Sequence, residues 1–190
     1  MMLSPTKDEA VRLAKEGRYG CIPVSCELYA DTLTPIAAVR VLKKVSRHCF
    51  LLESAEASKK WGRYTFLGFA PRLELTCQDG ELTLTNGGTQ VRRTAHPGES
   101  IRQILRENRA PKLSGLPPFA GGLVGYFSYD YIHYAEPTLD FSKLKNDDFC
   151  DVDLMLFDRV IVFDHYRQKL ILIAGVRTDS LEKSYRHSQQ

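Results

Sequence analysis

The sequence predicts an α+β fold built largely on antiparallel β-sheet packed with a few helices. Three observations carry that prediction. Short apolar or alternating stretches dominate the chain. Several of them are joined by tight turns, which antiparallel neighbours allow and parallel ones do not. Helical crossovers between strands, the mark of a doubly wound parallel sheet, are not the rule here.

Taken in order, residues 7–16 read as a helix, because Ala10, Val11, Leu13 and Ala14 recur at helical spacing behind Thr6 as N-cap. Residues 19–29 read as extended, and Pro23 marks an edge strand, since proline cannot donate to a ladder. Thr34-Pro35 opens a second helix, with Thr34 as cap and Pro35 at the first helical position. Ile36, Val39 and Leu42 give that helix one apolar face. Cys49-Phe50-Leu51-Leu52 is a short apolar strand that closes on Glu53-Ser54-Ala55-Glu56, and a second strand runs from Tyr64 to Phe69. Leu73-Glu74-Leu75-Thr76 and Leu82-Thr83-Leu84-Thr85 alternate strictly and meet through Asp79-Gly80, a strong hairpin signal. Asn86-Gly87-Gly88 is a further turn. Pro97-Gly98-Glu99-Ser100 leads into a helix over residues 101–108, and residues 111–118 form a loop. Residues 154–163 read as one long strand, partnered by residues 169–176 across Asp164-His165-Tyr166-Arg167. The polar stretch from Thr178 reads as the start of a helix or linker.

A chain of 190 residues is long enough to bury a core without disulfides or metal. The net charge of +3 is too small, and the basic residues too interleaved with acids, to argue for nucleic acid. The five cysteines form no CxxC pair or zinc-finger spacing, so the chain reads as reduced and cytoplasmic. The first residues carry no signal-peptide pattern, and no run approaches a membrane span.

Most constellations fall to bland readings. Gly121-Gly122-Leu123-Val124-Gly125 lacks the Lys-Ser/Thr of a phosphate loop and reads as strand glycines under a close backbone or ring. Ser128-Tyr129-Asp130 with His133 lacks GxSxG, and Asp164-His165 reads as a turn with a surface histidine. Asp147, Asp148, Asp151 and Asp153 lack EF-hand spacing. Trp61 reads as a rim or core anchor. Glu53-Ser54 stands apart. A polar pair at the end of an apolar strand offers a carboxylate and a hydroxyl, which suit the ammonium of an amino acid. A helix cap is an equal reading of the same residues.

Four motifs then occur in order. Thr34-Pro35 is similar to a "TP" helix start. Phe50-Leu51-Leu52-Glu53-Ser54 with Trp61-Gly62-Arg63-Tyr64-Thr65-Phe66-Leu67-Gly68 resembles LLES and GRYSFIG signatures. Phe119 to Asp130 resembles GGxxGYxSYD, and Phe157-Asp158-Arg159 through His165 resembles the strand pair that follows. Together these resemble the amino-terminal domain of anthranilate synthase component I, in the chorismate-utilising enzyme family.

The resemblance implies the amino-terminal part of a larger two-domain α/β sandwich. Residues 1–177 would be a regulatory domain, and 178–190 the start of a linker to a chorismate-binding domain beyond residue 190. The family lyase makes anthranilate and pyruvate from chorismate and glutamine-derived ammonia, opening tryptophan biosynthesis. Tryptophan inhibits it by feedback, and the resemblance assigns Ser54, Glu53, Leu52, Arg63 and Tyr64 to that inhibitor's site. It assigns no catalytic residue, metal or cofactor here, and places Mg2+ in the downstream domain. The partners it implies are tryptophan, the chorismate-binding domain and the glutamine amidotransferase subunit (component II), with no nucleic acid or membrane. The alternatives are aminodeoxychorismate synthase component I of folate synthesis and a stand-alone amino-acid-binding module.

Overall fold

A computed structural model describes residues 3–54, 62–136, 138 and 149–189. Ala55, Glu56, Trp61, Asp147 and Asp148, which the sequence reading named, lie outside the described residues.

The helices begin where the capping chemistry requires. In α1 (Lys7–Lys15) the Thr6 hydroxyl accepts the Glu9 N–H, and the Glu9 carboxylate accepts the Thr6 N–H at 2.8 Å. That capping box satisfies two backbone donors at once. In α2 (Pro35–Val45) the Thr34 hydroxyl accepts the Ala37 N–H at 3.2 Å. The strands are β1 (Cys21–Tyr29), β2 (Cys49–Leu52), β3 (Tyr64–Phe69), β4 (Leu73–Gln78), β5 (Glu81–Thr85), β6 (Thr89–Arg93), β7 (Gly122–Phe127), β8 (Val152–Phe157), β9 (Arg159–Asp164) and β10 (Lys169–Arg177). Helix α3 (Pro97–Glu107) lies between β6 and β7, a short 3-10 helix (Tyr129–Tyr134) follows β7, and α4 (Leu181–His187) follows β10.

The chain divides into two compact units. The first carries a five-stranded sheet in the order β1-β10-β9-β3-β2, and the second a sheet in the order β6-β5-β4-β8-β7. The paired registers are antiparallel, as the sequence predicts.

One expectation is corrected. Residues 154–163 are not one strand but two, β8 and β9, in different sheets. The ladders part at Asp158, whose carbonyl accepts the Gly175 N–H at 2.7 Å. The charged pair Asp158-Arg159 marks the break, and the buried aliphatic residues on both sides of it hide that signal.

In the first unit the two-residue period of the strands sorts side chains to two faces. Leu67, Phe163 and Leu170 meet Ala38 and Leu42 of α2, while Ile22, Val24 and Val176 meet Ala10 of α1 and Tyr185 of α4. On the other face Val160, Val162, Ile171 and Ile173 pack with Tyr64, Phe66 and Phe119. Residues 178–190, read from sequence as helix start or linker, contain α4. Its Tyr185 is buried and donates a hydrogen bond to the Pro5 carbonyl.

Phe50 explains the glycine of the Arg63–Gly68 motif. Phe50 and Gly68 are cross-strand partners, and a Cβ at Gly68 would fall 2.0 Å from the Phe50 ring. That ring stands edge-on to Phe157 at 4.8 Å and to Phe119 at 6.1 Å.

In the second unit Leu73, Leu75, Cys77 and Leu82 pack with Val152, Leu154, Leu156 and with Ile101 and Ile104 of α3. Asp79 and Gly80 both take positive φ (49° and 76°), the backbone a two-residue hairpin turn demands. Gly125 lies so near β8 that a Cβ would fall 1.9 Å from the Asp153 carbonyl oxygen, which agrees with the reading of that stretch as strand glycines under a close backbone. Tyr134 ties the 3-10 helix to the hairpin. Its hydroxyl donates to Asp151 and accepts the Gly80 N–H, both at 2.7 Å. Burial, with the Cys77 thiol and the Asp151 carboxylate beside it, pushes the phenol's pKa far up, so it stays a donor. Among the described residues no helix is long and apolar enough to cross a membrane.

Two expected outcomes follow from this packing. Gly68→Ala costs about 1–3 kcal/mol in urea denaturation by overpacking. Combined with Phe50→Ala it costs less than the sum of the two single changes, because the clashing ring is gone. Tyr134→Phe costs about 1–3 kcal/mol by stranding the Gly80 N–H, and amide exchange at Gly80 rises with it.

Candidate functional site

The first unit's sheet has one end where β2 leaves and β3 begins. Leu52 is the last residue of β2, and Glu53 and Ser54 follow it; Arg63 precedes Tyr64, the first residue of β3. The register pairs Leu52 with Phe66 and Tyr64 with Asp164, so these strand ends adjoin the end of β9. All five residues singled out from sequence therefore belong to one end of one sheet. Leu52 is 48% exposed, and Glu53 and Ser54 are exposed. The helix-cap reading of Ser54 concerns residues 55–61, outside those described.

Arg63 is held rather than loose. Its Nε and one Nη donate to the two oxygens of Asp164 at 3.1 and 2.7 Å, a bidentate pair. The guanidinium carbon stands 4.7 Å from the centre of the Tyr64 ring and 5.6 Å from that of Tyr166. The Asp164 carboxylate is 1% exposed and also accepts the backbone N–H groups of Tyr166 and Arg167. Burial pushes its pKa up, but the Arg63 bonds, the two N–H donors and the Arg63 charge outweigh that and hold it below its ordinary 3.8. The Asp164 bonds in turn raise the Arg63 pKa, and burial raises that of the Tyr64 phenol.

Sequence reasoning treated Asp164-His165 as a turn and missed Asp164 and Tyr166 as neighbours of Arg63. One signal was available: Asp164 follows Val160-Ile161-Val162-Phe163, and an acid ending so apolar a strand needs a partner. His165 shares a hydrogen bond of 2.8 Å with the Thr65 hydroxyl, but Thr65 is 1% exposed, so no substrate reaches it.

Chemically this end of the sheet presents groups of the two kinds that suit the ends of a zwitterion. A guanidinium, an exposed carboxylate at Glu53, a hydroxyl at Ser54 and two tyrosine rings offer one partner for each end of an amino acid. A separate cleft of about 480 Å³ lies along β1 and residues 113–116, lined by Ser25, Glu27, Tyr29, Leu113, Ser114 and Lys169 among others. It includes none of the five residues, and its carboxylate, Glu27, is already held by Arg167 and Lys169. Among the described residues no group of three or more His, Cys, Asp or Glu could hold a metal ion. The Mg2+ implied by the resemblance thus meets no ligand set among them.

A family model described as chorismate binding enzyme matches residues 47–190. The chain belongs to the chorismate binding enzyme family. This family's match begins at residue 47 and takes in β2 through α4. The chain is 35% identical over 188 residues to anthranilate synthase component 1 of Acetivibrio thermocellus, covering 97% of this chain and 37% of that protein. It is 35% identical to the protein of the same name from Pseudomonas aeruginosa, over 96% of this chain and 37% of that one. It is 34% identical to the chloroplastic anthranilate synthase alpha subunit 2 of Arabidopsis thaliana, over 97% of this chain and 32% of that one. The crystal structure of anthranilate synthase component I from Streptococcus pneumoniae superposes with a TM-score of 0.51 at 26% identity, covering 85% of this chain and 35% of that one. The resemblance read from the four motifs is borne out, and the chain spans about a third of the length of these family members.

The Arg63–Asp164 pair sets an acid limit on stability. Asp164 is depressed in the folded state, so its contribution is present above the unfolded value and lost as pH falls through the folded one. Asp164→Asn therefore lowers stability at pH 7, and the gap between variant and wild type closes as urea denaturation is repeated below pH 3.8.

Proposed function

We propose that this chain is the regulatory and scaffolding part of an anthranilate synthase component I, and that the end of the sheet at Ser54 and Arg63 contributes its tryptophan feedback site. The whole enzyme would convert chorismate and glutamine-derived ammonia to anthranilate and pyruvate, as a lyase of tryptophan biosynthesis. Ammonia would come from a glutamine amidotransferase partner, and Mg2+ would be held outside this chain. The reading is supported by the convergence of Leu52, Glu53, Ser54, Arg63 and Tyr64 at one sheet end, and by relatives whose name is anthranilate synthase.

The ligand's ammonium would meet the Ser54 hydroxyl and the Glu53 carboxylate. Leu52 and Tyr64 would give the indole apolar and aromatic surface. Inhibition then follows from linkage: if tryptophan binds better to the arrangement that takes chorismate poorly, each ligand weakens the other by the same factor.

Ser54→Ala tests this. It weakens tryptophan binding about ten-fold by calorimetry, as loss of a hydrogen bond to a charged group does. In the full-length enzyme it shifts the tryptophan inhibition curve to higher concentration while chorismate turnover stays as it was. An inhibition curve that does not move removes Ser54 from the site.

A further inference from the structure

The guanidinium of Arg63 has two edges with different fates. Its Nε and one Nη each give one N–H to Asp164. Three N–H groups remain, two on the other Nη and one on the bonded Nη, and among the described residues no acceptor meets them. The side chain is 35% exposed, so a ligand can reach it. Asp164 has no such freedom. It is 1% exposed, one oxygen accepts from Arg63, Tyr166 and Arg167, and the other accepts from Arg63. It cannot touch a ligand, but it decides where Arg63 points. Tyr166, 69% exposed in the same turn, stands beside the guanidinium.

We propose that Asp164 is a positioning residue of the tryptophan site, fixing Arg63 so that its open edge takes the ligand's carboxylate, with Tyr166 as a second ring on the guanidinium. This rests on the tryptophan reading given above. A planar fork of N–H groups matches a carboxylate and repels an ammonium, so Arg63 and the Glu53–Ser54 pair take opposite ends of the ligand. An arginine left free would have to be ordered when the ligand binds. Asp164 orders it in the folded chain beforehand, which removes that cost from binding.

The test compares L-tryptophan with tryptamine, which keeps the indole and the ammonium and lacks the carboxylate. Calorimetry on the 190-residue chain is expected to show tryptophan binding about ten-fold or more tighter than tryptamine. Asp164→Asn, which retains an oxygen for the turn's N–H groups, brings that ratio to about two-fold or less. Tyr166→Leu narrows it in part without lowering the melting temperature, and decides the matter if the Asp164 variant does not fold. Ser54→Ala weakens both ligands alike and leaves the ratio. A folded Asp164→Asn protein with the wild-type ratio overturns the positioning role and leaves the tryptophan reading standing. Equal wild-type affinity for the two ligands does the same, because Arg63 then does not grip the carboxylate. A wild-type chain that binds neither ligand overturns both.

Discussion

A carboxylate removed from water must be met by donors, and Asp164 is met by four N–H groups. Two come from the turn between β9 and β10, and two from Arg63, 101 residues earlier in the chain. The turn is thereby closed, and the residue before β3 is tied to the last residue of β9. Loss of Arg63 would leave an uncompensated charge at a buried position, a much larger cost than the loss of an exposed pair. The ion pair of Lys7 with Glu182 in the first unit does not share this weight. Lys7 and Glu182 are 48% and 70% exposed, and water screens them.

That constraint explains why the candidate site lies where it does. A sheet end is normally its least ordered part, because the ladder stops and side chains meet solvent. Here the ladder between β3 and β9 is pinned at its last pair, Tyr64 and Asp164. Phe50 over Gly68 anchors β2 on the other side of β3. The exposed residues at the mouth, Leu52, Glu53 and Ser54, thus leave a strand whose position is fixed by an aromatic cluster of Phe50, Phe119 and Phe157. Rigid packing behind holds the few polar groups in front in fixed places, as the orienting groups of a small-ligand site are held.

Much of this was legible in the sequence, for identifiable reasons. Cys49-Phe50-Leu51-Leu52 and Tyr64 to Phe69 were read with the limits the structure gives them, because both runs are apolar and bounded by polar residues. Thr6 and Thr34 announced their helices by side-chain chemistry that acts locally. Pro23 announced an edge strand, and β1 is one. What escaped depends on distant parts of the chain. β6, Thr89 to Arg93, is exposed along its whole length and has no alternation to betray it. The break at Asp158 is a change of sheet: Asp158-Arg159 interrupts the apolar run, but which strands each half pairs with is not local. The candidate residues were reached through resemblance, since the residues alone left Glu53-Ser54 balanced between a cap and a ligand site.

The contact between Arg63 and Asp164 shows why such a site is hard to read from one sequence. Each residue has an ordinary local interpretation: a cation after Trp61-Gly62 reads as surface, and an acid before His165 reads as a turn. Their meaning appears only when β3 and β9 are paired, and that pairing is non-local. Once it is known, the polarity of the site follows from chemistry. Half of the guanidinium is fixed by an internal acid, and the N–H groups that remain call for a hydrogen-bond acceptor. The exposed carboxylate and hydroxyl at the end of β2 supply the opposite preference. A ligand that satisfies both carries separated charges, and the tyrosine rings beside Arg63 favour one with an aromatic or apolar body. An α-amino acid with an aromatic side chain, as proposed above, is one molecule that meets all three demands.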